Sequence, residues 1–136
     1  MLFGLLHNWD LSLNLIQIGT ITIIIDGEGY ECTTYRIDGN YSDSRRPDSI
    51  TFTRNLKEDL KRRDFTINAM AYNDEVGLVD PFNGMEDIEH YKIRCVGRAE
   101  DRFSEDALRI LRAIRFASQL GFVLEPDTDW NYYHYN

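Results

Sequence analysis

The 136-residue chain has little cysteine, little proline and a deficit of positive charge: two Cys, three Pro, and 15 Lys and Arg against 23 Asp and Glu, for a net charge of −8. A deficit of that size argues against a general polyanion binder, because affinity for nucleic acid rests largely on Lys and Arg that neutralise phosphates. Cys32 and Cys95 stand far apart with no metal-type Cys/His spacing, and the expectation is two reduced thiols buried in strand interiors of a cytoplasmic protein. Long apolar runs are missing too. "MLFGLLHNWD" starts apolar but has no basic leader and is broken by His7, Asn8 and Asp10, so it fails as a signal peptide or a membrane span. Neither export nor a membrane partner is expected. There are no internal repeats and no low-complexity linker.

What is present is a globular balance, 43% hydrophobic and 28% charged. The length suits one folded unit, whether alone or as a piece of something larger. The scarce cations are concentrated: residues 45 to 63 hold seven Lys/Arg against the three acids Asp48, Glu58 and Asp59. An acidic chain with one basic stretch suits a local phosphate site better than a broad RNA surface.

"GTITIII", "DGEG" and "YECTTYRID" predict a β-hairpin, with Glu31, Thr33 and Tyr35 on one strand face. "DGNYSDSRRPDS" reads as a polar loop. A helix beginning near Asp59 or Asp64 is expected to carry "FTINAMAY". Leu78 and Val79 read as a short strand between turns, "MEDIEHY" as one or two helical turns and "KIRCVG" as a last short strand. From Ser104 the period changes: Ala107, Ile110, Leu111, Ile114 and Ala117 mark an apolar helix face, with Glu105, Arg109 and Arg112 opposite. Ser104 suits an N-cap, Glu105 and Asp106 the positive end of the helix dipole, and Gly121 a C-cap.

Two charged constellations carry chemistry. Arg62, Arg63 and Asp64 read either as a solvated helix start or as a fork-shaped anion site where guanidiniums and backbone donors meet a phosphate. In "EDALR", Asp106 and Arg109 are three residues apart. They read either as a helix pair worth about 0.2–0.5 kcal/mol or as a fixed acceptor and donor that can hydrogen-bond a nucleobase edge.

In combination these strings become specific. "RRDFTINAMAYN", "DPFNGMEDI" and "VGRAEDRFSEDALRILRAIRFASQLGF", preceded by "YECTTYRIDGNYSDSRRPDSITFTRNLKEDL", resemble the class II CCA-adding enzyme and bacterial poly(A) polymerase family of nucleotidyltransferases, in the family's order, over roughly residues 19 to 128. The resemblance implies an α+β fold: part of a nucleotidyltransferase palm, a mixed sheet with helices on one side, at 19–98, then an α-helical neck with its template helix at 99–128. Atypical segments are expected at 1–18 and 129–136.

The implied activity is template-independent addition of nucleotides to a tRNA or other RNA 3′ end with ATP and CTP as donors and Mg2+ as cofactor, and poly(A) synthesis or a non-catalytic nucleotide- or RNA-binding remnant as alternatives. By position, Arg62, Arg63 and Asp64 match the motif for the incoming nucleotide's ribose and phosphates, with Asn68 as its continuation. Asp106 and Arg109 match the pair that reads the base edge, supported by Glu105 and Arg112. Glu31 matches the third palm carboxylate, and "DPFNG" is similar to the hinge between head and template helix.

The family's Gly-Gly-x-x-x-Arg-Asp loop and its Asp-x-Asp pair do not occur before Gly19. The string Asp127-Thr128-Asp129 lies downstream of the template helix, so no metal ligands are assigned. The expectation is a truncated or frameshifted product that carries the family's middle segment, with an open sheet edge near "ITIII" through which it would self-associate.

Overall fold

A computed structural model describes residues 19–128, together with the short strand Leu11–Ser12. The atypical ends predicted at 1–18 and 129–136 otherwise lie outside the described residues. The chain divides into two compact units, Met1–Tyr35 and Arg36–Asn136.

The first unit is the predicted hairpin. Leu11–Ser12 (β1), Thr20–Ile25 (β2) and Glu28–Thr33 (β3) form an antiparallel sheet in the order β1-β2-β3, with Thr20 opposite Thr33 and Ile25 opposite Glu28. Asp26 and Gly27 both have positive φ, 51° and 85°, as a two-residue turn matched to strand twist demands. The isoleucine-rich β2 is the middle strand, its edge at Thr22 and Ile23 taken by β1, so the open edge expected there is occupied at those residues. Every residue of β3 is exposed, Cys32 included. Alternation assigns side chains to faces but does not say what covers a face, and the buried-thiol expectation therefore holds for Cys95 alone.

In the second unit, Arg36–Asp38 (β4) pairs antiparallel with Ile50–Phe52 (β5). Helix α1, Leu56–Lys61, starts where the Asn55 side chain accepts the Lys57 N–H at 3.0 Å. It ends at Arg62, so the charged run follows a helix instead of opening one. "FTINAMAY" is not helical. Phe65 is extended and bridges Cys95, Thr66–Asn68 makes one 3-10 turn, and Ala71–Asn73 (β6) pairs with Gly77–Val79 (β7). The reason lies in the backbone donors: Thr66 N–H donates to the Arg94 carbonyl and Val96 N–H to the Asp64 carbonyl, each at 2.9 Å. A helix would forfeit both.

Gly84–Glu89 (α2) is capped by Asp80, whose carboxylate accepts the Gly84 and Met85 N–H groups at 2.8 and 2.9 Å. Only glycine fits at 84, since a Cβ would stand 2.3 Å from the Thr66 carbonyl oxygen. Lys92–Ile93 (β8), Ala99–Glu105 (α3), Leu108–Leu120 (α4) and Val123–Leu124 (β9) complete the unit, β9 running parallel to β8. The fold is α+β as expected.

The main core gathers Phe65, Ile93, Cys95, Ala99, Phe103 and Ala113, with Phe65 meeting the Phe116 ring edge-on at 5.9 Å. Gly121 ends α4 in the left-handed region at φ 68°. Two expectations about this stretch are corrected. Ser104 lies inside α3, and the chain breaks at Asp106, which is extended. The buried face of α4 is also displaced: Ala113 is buried with Ile110, Phe116 and Ala117 against the core, whereas Leu111 and Ile114 are 64% and 55% exposed and Arg109 is buried. Two apolar stripes compete on this helix, and the buried one is the stripe that brings Arg109 against the carbonyls it satisfies.

Candidate functional site

Glu31 lies in the first unit, exposed on β3 opposite Thr22. The other eight predicted residues all belong to the second unit. Their organiser is one that sequence reasoning passed over, Asp59 on α1, 2% exposed. Its Oδ1 accepts from the Arg36 N–H at 3.0 Å and from Arg62 Nε and Nη2 at 3.0 and 2.7 Å, and its Oδ2 accepts from Arg63 Nη2 at 3.3 Å. The signal was present in the spacing, for Arg62 and Arg63 follow Asp59 at i+3 and i+4. Arg62 also approaches Asp38 Oδ2 at 3.8 Å. That oxygen accepts the Tyr41 hydroxyl at 2.9 Å, and burial first, then Asp38, pushes the hydroxyl up to about 12. No spacing signal points to Asp38 or Tyr41. A cleft of about 170 Å³ opens beside Asp38, Tyr41, Lys61, Arg62 and Glu105.

Burial alone would raise the Asp59 pKa, but the Arg36 N–H and the Arg62 and Arg63 guanidiniums outweigh it and hold the carboxyl below its ordinary value of 3.8. The folded chain therefore binds this proton less tightly than the unfolded chain. The stabilisation is fully present above pH 3.8 and is lost as pH falls through the lower folded value. Urea midpoints measured from pH 5 down to pH 3 should fall more steeply for the wild type than for Asp59→Asn; parallel slopes would remove Asp59 from the acid response.

The other half of the site comes from the α3–α4 junction. Arg109, 8% exposed, donates from Nη1 to Glu105 Oε2 at 2.7 Å and to the Arg102 carbonyl at 3.1 Å, and from Nη2 to the Arg62 carbonyl at 3.3 Å. Arg102 closes on the other Glu105 oxygen. Asp106 and Arg109 do not form the side-chain pair expected from a continuous helix. The chain kinks at Asp106, whose carboxylate instead accepts the Leu108 N–H at 3.0 Å, and Glu105 takes Arg109. Asp64, 8% exposed, accepts its neighbour Phe65 N–H at 2.9 Å, Asn68 Nδ2 at 3.3 Å and Arg112 Nε at 2.6 Å. The arginine stretch at 62–64 and the α4 stretch at 105–112 thus meet through two direct links, Arg62 to Arg109 and Asp64 to Arg112. Of the two arginines, Arg63 is the accessible one, its side chain 44% exposed.

These residues do not suit magnesium. Among the described residues no group of three or more His, Cys, Asp or Glu could hold a metal ion, and Asp59 and Asp64 each face arginine. A larger cavity of about 520 Å³, lined by Thr66, Phe82, Arg94, Arg98 and Thr128 among others, holds none of the predicted residues, and Glu100, Glu125 and Asp127 on its wall oppose an anionic ligand. At its floor the Cys95 thiol is pushed up to about 11, chiefly by burial, which leaves it a packing residue.

Comparison with known proteins bears on this arrangement. A family profile described as Poly A polymerase head domain matches residues 6–94. The CCA-adding enzyme of Lactobacillus johnsonii is 56% identical over 114 residues, covering 84% of this chain and 29% of its own length. A crystal structure of the Bacillus stearothermophilus CCA-adding enzyme in complex with CTP superposes with a TM-score of 0.72 at 52% identity, over 81% of this chain and 26% of that one. A tRNA nucleotidyltransferase complexed with a primer tRNA and an incoming ATP analog gives a TM-score of 0.65 at 37% identity, over 88% of this chain and 32% of that one. The chain thus spans under a third of the length of these relatives. The α+β architecture described above is that of the nucleotidyltransferase head of CCA-adding enzymes.

Proposed function

The chain belongs to the Poly A polymerase head domain family, and from that membership we propose that it holds the incoming nucleotide for template-independent addition of C and A to a tRNA 3′ end. The observation that carries this reading is the meeting of the two motifs, with Arg62 bonded to Arg109 and Asp64 to Arg112 although they are 47 and 48 residues apart in sequence. In this reading Arg63, the exposed member, and the neighbouring Arg62 take the triphosphate of CTP or ATP. The remaining acceptor capacity of Asp106 faces the base, joined by the one Nη2 hydrogen that Arg109, otherwise held by three acceptors, has to spare, while Glu105, Asn68 and Arg112 hold their partners in place. Asp64 acts mainly from inside the protein, since its oxygens are already engaged by three donors. Magnesium belongs to this reading through the family resemblance alone, and no residue among those described is assigned to hold it. Glu31 is the palm carboxylate by position only. tRNA as acceptor and a cytoplasmic location follow from the same reading.

A second reading, nucleotide binding without transfer, has a specific observation in its favour: the buried carboxylates beside the candidate site, Asp59 and Asp64, are each paired with arginine and so are not free for a metal ion. Calorimetry with CTP, ATP, GTP and UTP in magnesium, run beside labelling of a tRNA that lacks its 3′ CCA, separates the two. The proposal predicts that CTP and ATP bind at least about tenfold tighter than GTP and UTP, a difference of 1.4 kcal/mol. Label in the tRNA supports transfer by this chain, binding without label supports the second reading, equal binding of all four nucleotides refutes the proposal for C and A, and no binding of any nucleotide refutes both.

A further inference from the structure

We infer that Asp59 is the positioning residue of the phosphate site, the carboxylate that aims both arginines at the triphosphate; this deepens the nucleotide reading above and rests on it. A buried carboxylate beside a site for polyanions is electrostatically adverse. Its negative charge lowers the potential that attracts phosphate, and its own desolvation costs free energy. What it supplies is geometry. One oxygen is held by the backbone of β4 through the Arg36 N–H at 3.0 Å and takes two nitrogens of Arg62, while the other takes a single nitrogen of Arg63.

Asp59 is itself fixed in α1, whose first turn is capped by Asn55. Two long side chains that would otherwise sample many rotamers are thereby tied to one rigid helix and one strand. The tie leaves donors to spare. Arg62 Nη1 lies at 3.8 Å from Asp38, outside hydrogen-bond range, and among the described residues no hydrogen bond engages Arg63 Nε or Nη1. Arg63 is the more exposed of the pair and is held by one nitrogen only, the arrangement expected of a guanidinium fork that must keep an edge for phosphate. A solvated helix end would need no such clamp, since surface arginines gain little from a fixed pairing.

The sign of one substitution separates geometry from charge. Asp59→Asn keeps the shape, removes the negative charge and replaces one acceptor oxygen with an amide. If Asp59 acted on nucleotide only through its charge, Asn would tighten CTP binding and steepen its dependence on salt. A positioning role predicts the reverse, CTP binding weakened about tenfold or more despite the more positive site. The experiment is calorimetry of the full 136-residue chain with CTP in magnesium, with cytidine as the probe that lacks phosphates.

Cytidine affinity should change less than twofold in Asp59→Asn, a readout that general loss of structure would not spare. Asp59→Glu should restore part of the CTP affinity. Where Asp59→Asn does not fold, Arg63→Lys decides instead: it keeps the charge but cannot reach Asp59 and phosphate as a fork, and it should lose about tenfold or more in CTP affinity. Tighter or unchanged CTP binding in Asp59→Asn, or retained affinity in Arg63→Lys, overturns the positioning role while leaving the nucleotide reading intact. A folded wild-type chain that binds no CTP overturns the nucleotide reading and this inference with it.

Discussion

Phe65→Ala is expected to cost about 3–5 kcal/mol of folding stability, the range for removing a large aromatic from a packed core. Natural domains hold only about 5–15 kcal/mol in total, so this one change takes the chain close to its unfolding threshold. Phe65 is fully buried among Ile93, Cys95, Ala99, Phe103 and Ala113, and its ring meets Phe116 of α4 edge-on. Truncation would leave a cavity bounded by strand backbone on one side, where Phe65 bridges Cys95, and by α4 on the other. The strand wall cannot collapse without breaking the hydrogen bonds from Thr66 and Val96. Urea denaturation should show a lower midpoint at unchanged slope. A loss below about 1 kcal/mol would mean that α4 can close onto the gap and that the core is not what holds the two motifs together. Because Phe65 follows Asp64 directly, nucleotide affinity should fall in the same variant, through displacement of the chain at 62–64 and without loss of any ligand group.

Legibility in the sequence followed the range of the physics involved. The hairpin was readable because β-branched runs, a turn and strand alternation are local, and Gly121 was readable as a helix stop because a left-handed residue announces itself. "FTINAMAY" was not readable as extended chain because the partners that make it so, the carbonyl of Arg94 and the N–H of Val96, lie about thirty residues downstream. The break at Asp106 and the inward turn of Arg109 were hidden for a similar reason: an arginine on a helix reads as surface until three acceptors from two other segments claim it. Asp59 shows the converse. Its spacing to Arg62 and Arg63 was in plain view, but a local ion pair is usually worth so little that the sequence alone gave no cause to single it out. Burial, which only the fold supplies, converts it into the organiser of the site.

The Asp64–Arg112 contact is where this distinction can be measured, because both residues belong to motifs first read as nucleotide ligands. Asp64→Ala should cost about 3 kcal/mol, toward the lower end for breaking a buried, hydrogen-bonded charge pair. Three donors lose their acceptor, and the Phe65 N–H, inside the core, has no water to replace it. Arg112→Ala should cost less, about 1–2 kcal/mol. Arg112 is 41% exposed at its side chain, so solvent already screens part of the pair, and Asp64 keeps the Phe65 N–H and Asn68. The two losses should not add. A double-mutant cycle read by urea unfolding should return a coupling of about 1–2 kcal/mol, as expected for groups in direct contact at 2.6 Å. Strict additivity would mean that the contact is incidental, and Asp64 would then be free to serve the ribose as the motif first suggested. Strong coupling, with CTP affinity in Arg112→Ala close to wild type, would instead make the aspartate of the arginine motif an internal strut that keeps α4 and the phosphate-binding arginines at a fixed separation.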